Sequence, residues 1–500
     1  MNSNLAETKR LNAKKLASQM ENRQLIGGRF APSRSGATLP VIDPARDEQV
    51  GSIPSSDATD TACAVSAATD AAPSWRKITP RERGRLLRLC GEILRQHAEP
   101  LAELITLETG KALQTESRPE ALNVADVFDF YSGLGGEIKG ETIPVASEML
   151  TLTIREPLGV VGAIIPWNVP VMLLAHKIAP ALLAGNAIIV KPSEEASLSV
   201  LRAAELFNEI LPPGVLNIVC GAGPVAGAAL VANESIRKVS FTGSTATGRL
   251  IAAKAGERLI TTTMELGGKS PMIIAHDAEL EKAVDGIIGG MRFTRQGQSC
   301  SAASRVFIHD SLFARARELV VSKLAQLKMG DPFDAQTDIG SIISPTQYRK
   351  VCSYIQEAKT DPQLEVVEIG HLPEAPELAR GLFTRPTLVF GADNNSRLAQ
   401  EEIFGPVCLI TPFSDLETVI KTANKTSYGL AAYLWTKDIS KALYFADLIE
   451  AGFVQINQNI VFRAGTPYGG FKNSGFGKEA CLDTVLEDYT RAKTVIVGIS

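Results

Sequence analysis

From Leu158 to Phe241 the chain alternates short β-branched runs with helical stretches, an order that excludes a helix bundle or an all-β sandwich. Val160 to Ile165 leads into a helical pattern over Val171 to Leu183, and Ala187-Ile188-Ile189-Val190 leads into another over Leu198 to Leu211. Leu216 to Val219, Val225 to Ala232 and Lys238 to Phe241 continue the series. Strands met in this order run parallel, joined by right-handed crossovers, and such sheets bind nucleotides beyond the carboxyl ends of their strands. The alternation restarts at Pro271-Met272-Ile273-Ile274 and continues through Glu279 to Met291, Arg305 to Ile308 and Ser311 to Leu327. It predicts a second α/β domain reaching about Gly470, in keeping with a chain of 500 residues that is too long for one simple core.

Two stretches break the pattern. Thr151-Leu152-Thr153-Ile154-Arg155 alternates polar and apolar residues and reads as a two-sided ribbon, whose open edges need a cover such as a second subunit. Thr494-Val495-Ile496-Val497 is a short strand that needs a sheet, and the ribbon near residue 150 is a candidate partner. Met1 to Asn22 lacks the apolar core of a secretory signal and reads as a frayed or surface helix. No segment approaches the ~20 apolar residues of a membrane span, so a soluble cytoplasmic protein is the expectation.

Charge and cysteine usage narrow the chemistry. A net charge of −4 without a basic block argues against nucleic acid as a partner. The seven cysteines form no CxxC pair and the five histidines are scattered, so neither a metal site nor a disulfide framework is indicated. An unpaired cysteine is usually a small buried hydrophobe, and Cys90, Cys220 and Cys408 lie in apolar patterns that suit this. Cys63, Cys352 and Cys481 lack a Gly-rich approach and a nearby base. Only Cys300, in Thr294-Arg295-Gln296-Gly297-Gln298-Ser299-Cys300-Ser301, has the small, polar setting of a nucleophile.

The partners that such a thiol needs stand where strands end. Thr263-Met264-Glu265-Leu266-Gly267-Gly268-Lys269 puts a carboxylate before two glycines, where partial desolvation would raise its pKa and make it a general base. Pro166-Trp167-Asn168-Val169-Pro170 holds a neutral amide between two prolines, suited to an oxyanion or to a simple Asx turn. Phe241-Thr242-Gly243-Ser244-Thr245-Ala246-Thr247-Gly248 follows a strand and opens a helix, placing amides and the Ser244 hydroxyl to hold a pyrophosphate or merely to cap the helix. Gly221 to Gly227 has the spacing GxGxxxG, weak evidence alone. In Lys191-Pro192-Ser193-Glu194 a carboxylate at a strand end would accept ribose hydroxyls and repel a 2′-phosphate, so Glu194 favours NAD, with NADP possible.

These motifs, with Glu401-Glu402-Ile403-Phe404-Gly405-Pro406 and Pro467-Tyr468-Gly469-Gly470-Phe471-Lys472-Asn473-Ser474-Gly475, together resemble the aldehyde dehydrogenase superfamily, in that family's order from about residue 25 onward. The resemblance implies a Rossmann-like parallel-sheet cofactor domain (20–139 and 159–266), an α/β catalytic domain (267–475) and small β oligomerisation segments (140–158 and 486–500), assembled as a homodimer or homotetramer. It implies that NAD lies among Ile164, Pro166, Trp167, Lys191, Glu194, Gly223, Gly227, Phe241, Gly243, Ser244, Leu266, Gly267, Glu402 and Phe404, with Glu402 on the nicotinamide ribose and Phe404 beside the ring. Cys300, Asn168 and Glu265 become nucleophile, oxyanion donor and base, and Lys177 and Glu479 help pass protons.

The aldehyde would meet Phe462, His176, Thr294 and Ser301, with Ile460 or Val461 nearby; His176 and Thr294 stand where many relatives carry larger aromatics. Arg295 and Arg463 are candidates for a substrate carboxylate, or ordinary paired charges. Relatives that pass the acyl group to coenzyme A generally lack the base, so Glu265 favours the hydrolytic, non-acylating branch. A coenzyme A-acylating enzyme, or a catalytically silent binding or structural member of the fold, are the other readings.

Overall fold

The computed structural model describes residues 2–459 and 462–499. Its largest sheet has eight strands in the spatial order Arg29–Ala31, Gln24–Ile26, Leu216–Ile218, Ala187–Lys191, Val160–Ile164, Ile236–Thr242, Thr261–Glu265 and Gly475–Phe476. The five central strands are parallel and the outer ones antiparallel. The chain starts at Val160–Ile164, moves outward through the next two strands, then returns to the opposite side at Ile236–Thr242. Two neighbouring strands whose crossovers leave in opposite directions open a crevice at their carboxyl ends, the usual ligand site of such sheets.

Local chemistry sets the helix boundaries. Asp57 and Asp60 form a reciprocal capping box on helix Ala58–Lys77, and the Thr79 side chain caps helix Pro80–Gln96, which has Pro80 in its first turn. Helix Pro170–Ala184 is buried over most of its surface and stops at Gly185, whose φ of 100° a residue with a Cβ would resist. The expected helix over Val225 to Ala232 is a π-helical turn, Gly223–Gly227, running into the short helix Ala228–Ala232.

The N-terminal segment, expected to be a frayed or surface helix, is the helix Asn2–Met20, with one face packed on the body of the protein. Ala6, Arg10, Ala13, Ala17 and Met20 recur every three or four residues and are buried, packed towards helix Ala98–Thr109. The stripe is built mainly of alanine, so it barely registers as hydrophobic in the sequence. Arg10 donates to Asp43 and pairs with Glu48, tying the stripe's one charge to the hairpin of Thr38–Asp43 and Glu48–Pro54.

A second sheet of seven strands runs Glu365–Glu368, Thr387–Phe390, Val407–Phe413, Arg305–His309, Pro271–Ile274, Ala431–Trp435 and Phe453–Ile456, parallel except for its first pair. The third sheet is the ribbon: Thr142–Ile143, Met149–Pro157 and Thr490–Gly498, all antiparallel. Val495 lies opposite Leu152, so the C-terminal strand does pair with the ribbon near residue 150. Met149, Leu150, Ile154, Ile496 and Val497 remain exposed on it. Among the described residues no helix is long and apolar enough to cross a membrane.

Removing residues 490–500 strips Met149–Pro157 of its long partner and leaves a row of unpaired amides and carbonyls. The truncated protein is expected to aggregate in size-exclusion chromatography with light scattering. An elution volume and scattering mass matching the full chain, less the deleted residues, would contradict this.

Candidate active site

Strand register brings the first group of predicted residues into one row. Ile164 pairs with Lys191 on one side and Phe241 on the other, and Thr242 pairs with Glu265, the last residue of its strand. A Cβ on Gly227 would lie 3.7 Å from the Ile164 Cδ1 and 3.8 Å from the Lys191 Cδ, so the Gly223–Gly227 turn covers this row. Glu194 accepts from the Lys191 ammonium at 2.9 Å and the Gly223 amide at 2.7 Å. Burial works against its ionisation, but Lys191 and the amide prevail and hold its carboxyl below the ordinary range. Ser244 caps the next helix, accepting from the Thr247 amide at 3.2 Å.

The second group arrives from the loops of the other sheet. After Glu265 the chain passes through Leu266, Gly267 and Gly268, and a Cβ on Gly268 would fall 2.3 Å from the Cys300 carbonyl oxygen. Backbone therefore meets backbone here, which only glycine permits. Gly297, with φ at 64°, plays the same part against Gly405: a Cβ there would sit 2.1 Å from its carbonyl oxygen. Glu402 accepts from the Gly268 amide at 2.9 Å, and the Trp167 and Phe404 rings meet edge to face at 5.3 Å. A small pocket is lined by Gly268, Gly297, Ser299, Glu402 and Phe404.

Cys300 is half-buried, with Sγ 3.6 Å from the Tyr468 hydroxyl. Burial pushes its thiol up to about 11; the Tyr468 hydroxyl opposes this, and the charges of Glu402 and Glu265 add to it. Asn168 is buried and its Nδ2 donates to the Gln298 carbonyl at 3.4 Å, two residues before the thiol. Glu265 is 4% exposed, and among the described residues neither carboxylate oxygen has a hydrogen-bond partner. Burial, reinforced by the charge of Glu479, holds its carboxyl well above the ordinary value.

The remaining predicted residues fall at the margins. Lys177 and Glu479 form a buried ion pair, and Glu479 exchanges backbone hydrogen bonds with Tyr468. His176 is buried, its ring 5.0 Å from that of Phe462, which lies 5.4 Å from Tyr468. Burial, with Lys177 adjacent, lowers the imidazole to about 3 and keeps it neutral. Thr294 and Arg295 are both engaged by Glu116: the Thr294 hydroxyl donates to it, and the Arg295 Nε donates to the same carboxylate at 2.7 Å. Arg295 is thus a paired charge. The Ser301 hydroxyl lies 3.4 Å from that of Ser299, and the Ser301 carbonyl accepts from Tyr433 at 2.8 Å. Ile460 and Val461 lie outside the described residues.

A model of the aldehyde dehydrogenase family matches residues 30–495. The chain belongs to the aldehyde dehydrogenase family. It is 41% identical over 483 residues to betaine aldehyde dehydrogenase of Brucella canis, covering 96% of this chain and 98% of that one. With hydroxyisobutyraldehyde dehydrogenase of Mycolicibacterium austroafricanum it shares 39% identity over 475 residues, covering 95% and 93%. Among solved structures it matches the NAD+ complex of an aldehyde dehydrogenase from Bacillus cereus with a TM-score of 0.93, 37% identity and coverage of 97% and 98%. Betaine aldehyde dehydrogenase of Staphylococcus aureus in complex with NAD+ gives 0.94 at 34% identity, covering 98% of each chain.

Sequence reasoning does not single out Tyr468 or Glu116. Tyr468 stands within a family motif, but nothing in that motif says that its hydroxyl meets the thiol. Glu116 lies in a segment of ordinary helical composition, far along the chain from Arg295.

A thiol pKa near 11 leaves roughly one Cys300 in ten thousand ionised at pH 7. Without cofactor, alkylation by iodoacetamide should therefore accelerate about tenfold per pH unit from pH 7 to 10. A plateau below pH 9, read by mass spectrometry of the Cys300 peptide, would show that burial does not hold the thiol protonated.

Proposed function

We propose that the chain oxidises an aldehyde to the carboxylic acid through a covalent intermediate on Cys300, with NAD as hydride acceptor. The residues present suit NAD: the crevice lies where the parallel strands reverse order, Glu194 offers a carboxylate to ribose hydroxyls, and a Cβ on Gly223 would project into open space. Ile164, Pro166, Trp167, Lys191, Phe241, Gly243 and Ser244 would hold the adenosine and pyrophosphate side. Leu266, Gly267, Glu402 and Phe404 would hold the nicotinamide side. When bound, NAD supplies a positively charged ring that accepts the hydride.

Within that frame the side chains divide the work. Glu265 takes the thiol proton, and the Cys300 sulfur bonds to the aldehyde carbon. The carbonyl oxygen, now negative, accepts from the Asn168 Nδ2 and the Cys300 amide; losing one such donor costs about 3 kcal/mol of transition-state stabilisation. The carbonyl re-forms as the carbon's hydrogen leaves with both electrons, and a thioester remains on Cys300. Glu265 then draws a proton from water, whose oxygen attacks the thioester, releasing the acid and the thiolate. Protons reaching Glu265 pass onward through Lys177 and Glu479. The observation that carries this reading is a desolvated carboxylate without partners in the same site as the thiol.

The domain limits in this reading are 20–139 with 159–266 for cofactor binding, 267–475 for catalysis, and 140–158 with 486–500 as the ribbon through which a second copy is recruited, giving a dimer or tetramer. An active site built on a free thiol suits the cytoplasm. The aldehyde pocket is formed by Phe462 and His176 together with Ser301; Thr294, engaged by Glu116, acts on it only through the loop.

Glu265→Gln should retain a stoichiometric burst of NADH while steady turnover falls by at least about a hundredfold. Cys300→Ala should abolish both. Unchanged steady turnover in Glu265→Gln would remove Glu265 from its role, and strong stimulation by coenzyme A would favour the acylating branch.

A further inference from the structure

Four charged side chains lie close together in the interior behind the Cys300 loop: Lys111, Glu116, Glu120 and Arg295. The first three are almost fully buried and Arg295 is little exposed. Arg292 adds a further positive charge acting on Glu116, and burying such a set rarely stabilises a fold more than apolar packing would. What charged hydrogen bonds add is direction.

Their bonds run to both halves of the proposed oxyanion site. Glu116 and Glu120 are four residues apart, where the π-helical turn Leu113–Ser117 enters helix Arg118–Gly133. One Glu120 oxygen accepts from the Val171 amide at 3.1 Å and the Met172 amide at 3.2 Å. These belong to the first turn of helix Pro170–Ala184, whose N-cap, Val169, has no side-chain oxygen to offer. The other Glu120 oxygen pairs with Lys111, and the Lys111 ammonium donates to the Asn168 carbonyl at 3.0 Å. The backbone is therefore gripped at Asn168 and again three residues later.

Glu116 holds the opposite half through Arg295 and Thr294. The Arg295 carbonyl accepts from both the Gln298 amide, at 3.1 Å, and its side chain, at 3.2 Å. Gln298 in turn meets the Asn168 Nδ2.

We propose that Glu120, acting with Lys111, is a positioning residue that aims the Asn168 amide at the oxygen of the tetrahedral adduct, while Glu116 sets the Cys300 loop against it. The two carboxylates share one turn, so the spacing between amide and sulfur is set by a single rigid element. This rests on the role given to Asn168 above.

The test compares Glu120→Gln, Asn168→Ala and the double variant by stopped-flow NADH bursts with a neutral aliphatic aldehyde. NAD affinity is read by fluorescence titration, and Cys300 alkylation by iodoacetamide serves as a reaction that needs no oxyanion donor. Glu120→Gln should slow the burst roughly ten- to a hundredfold, the scale of a misplaced donor, with NAD affinity and alkylation rate unchanged. The double variant should be no slower than Asn168→Ala alone, because both act through one amide.

Multiplicative losses, or a parallel fall in burst, NAD affinity and alkylation, would overturn the proposal by showing an independent or general structural effect. A normal burst in Glu120→Gln beside an impaired Asn168→Ala overturns this inference alone. A normal burst in Asn168→Ala overturns the role of Asn168 and the inference with it. If Glu120→Gln does not fold, Lys111→Gln takes its place in the same cycle, since it removes the grip on the Asn168 carbonyl but leaves the Glu120 contacts to the helix. A slowed burst that adds nothing to the loss in Asn168→Ala is again expected, and a normal burst or multiplicative losses again overturn the inference.

Discussion

Everything in the site depends on the contact between Gly268 and the Cys300 carbonyl. A Cβ at that position would fall 2.3 Å from the oxygen, well inside any tolerable separation. The contact joins the end of a first-sheet strand, with Glu265 on it, to a loop of the second sheet, with Cys300 on it. Neither sheet alone holds both groups. Glu265 and Cys300, borne by different sheets, come together only because two backbones can touch, and glycine is the residue that allows it.

That closeness has electrostatic consequences which the chemistry uses. Excluding water raises both the Glu265 carboxyl and the Cys300 thiol. For the carboxylate the shift strengthens it as a proton acceptor relative to an exposed one. For the thiol it is a cost in the empty enzyme, where the sulfur is largely protonated and unreactive. A positively charged ring placed beside the sulfur favours the thiolate, and so does a base that can take its proton.

Legibility in the sequence differs from one part of the chain to another, for identifiable reasons. The parallel strands from Val160 to Thr242 are readable because buried strands are continuous apolar runs and the helices between them have their own period. Cys300, Glu265 and Asn168 are readable because each sits in a short motif with a glycine or proline that fixes its backbone. The N-terminal helix reads as a frayed or surface helix, its packed face unseen, because an alanine stripe carries almost no hydrophobic signal, although Ala13 and Ala17 are wholly enclosed. The bonds from Thr294 and Arg295 to Glu116 are not readable in the sequence, because proximity to Cys300 along the chain says nothing about which distant group a side chain meets.

Sequence alone determined the strand and helix alternation, the thiol in its small polar setting and the carboxylate before two glycines, all of which are local patterns; it named the ribbon only as a candidate partner for the tail. The tertiary structure decided which distant groups meet: Tyr468 at the thiol, Glu116 on Arg295, and Lys111 and Glu120 on the turn that carries Asn168. These contacts span tens to hundreds of residues, and a charged or aromatic side chain looks the same in a sequence whether it faces solvent or a partner. Spacing along one element encodes a face; only the packing of one element on another names what that face touches.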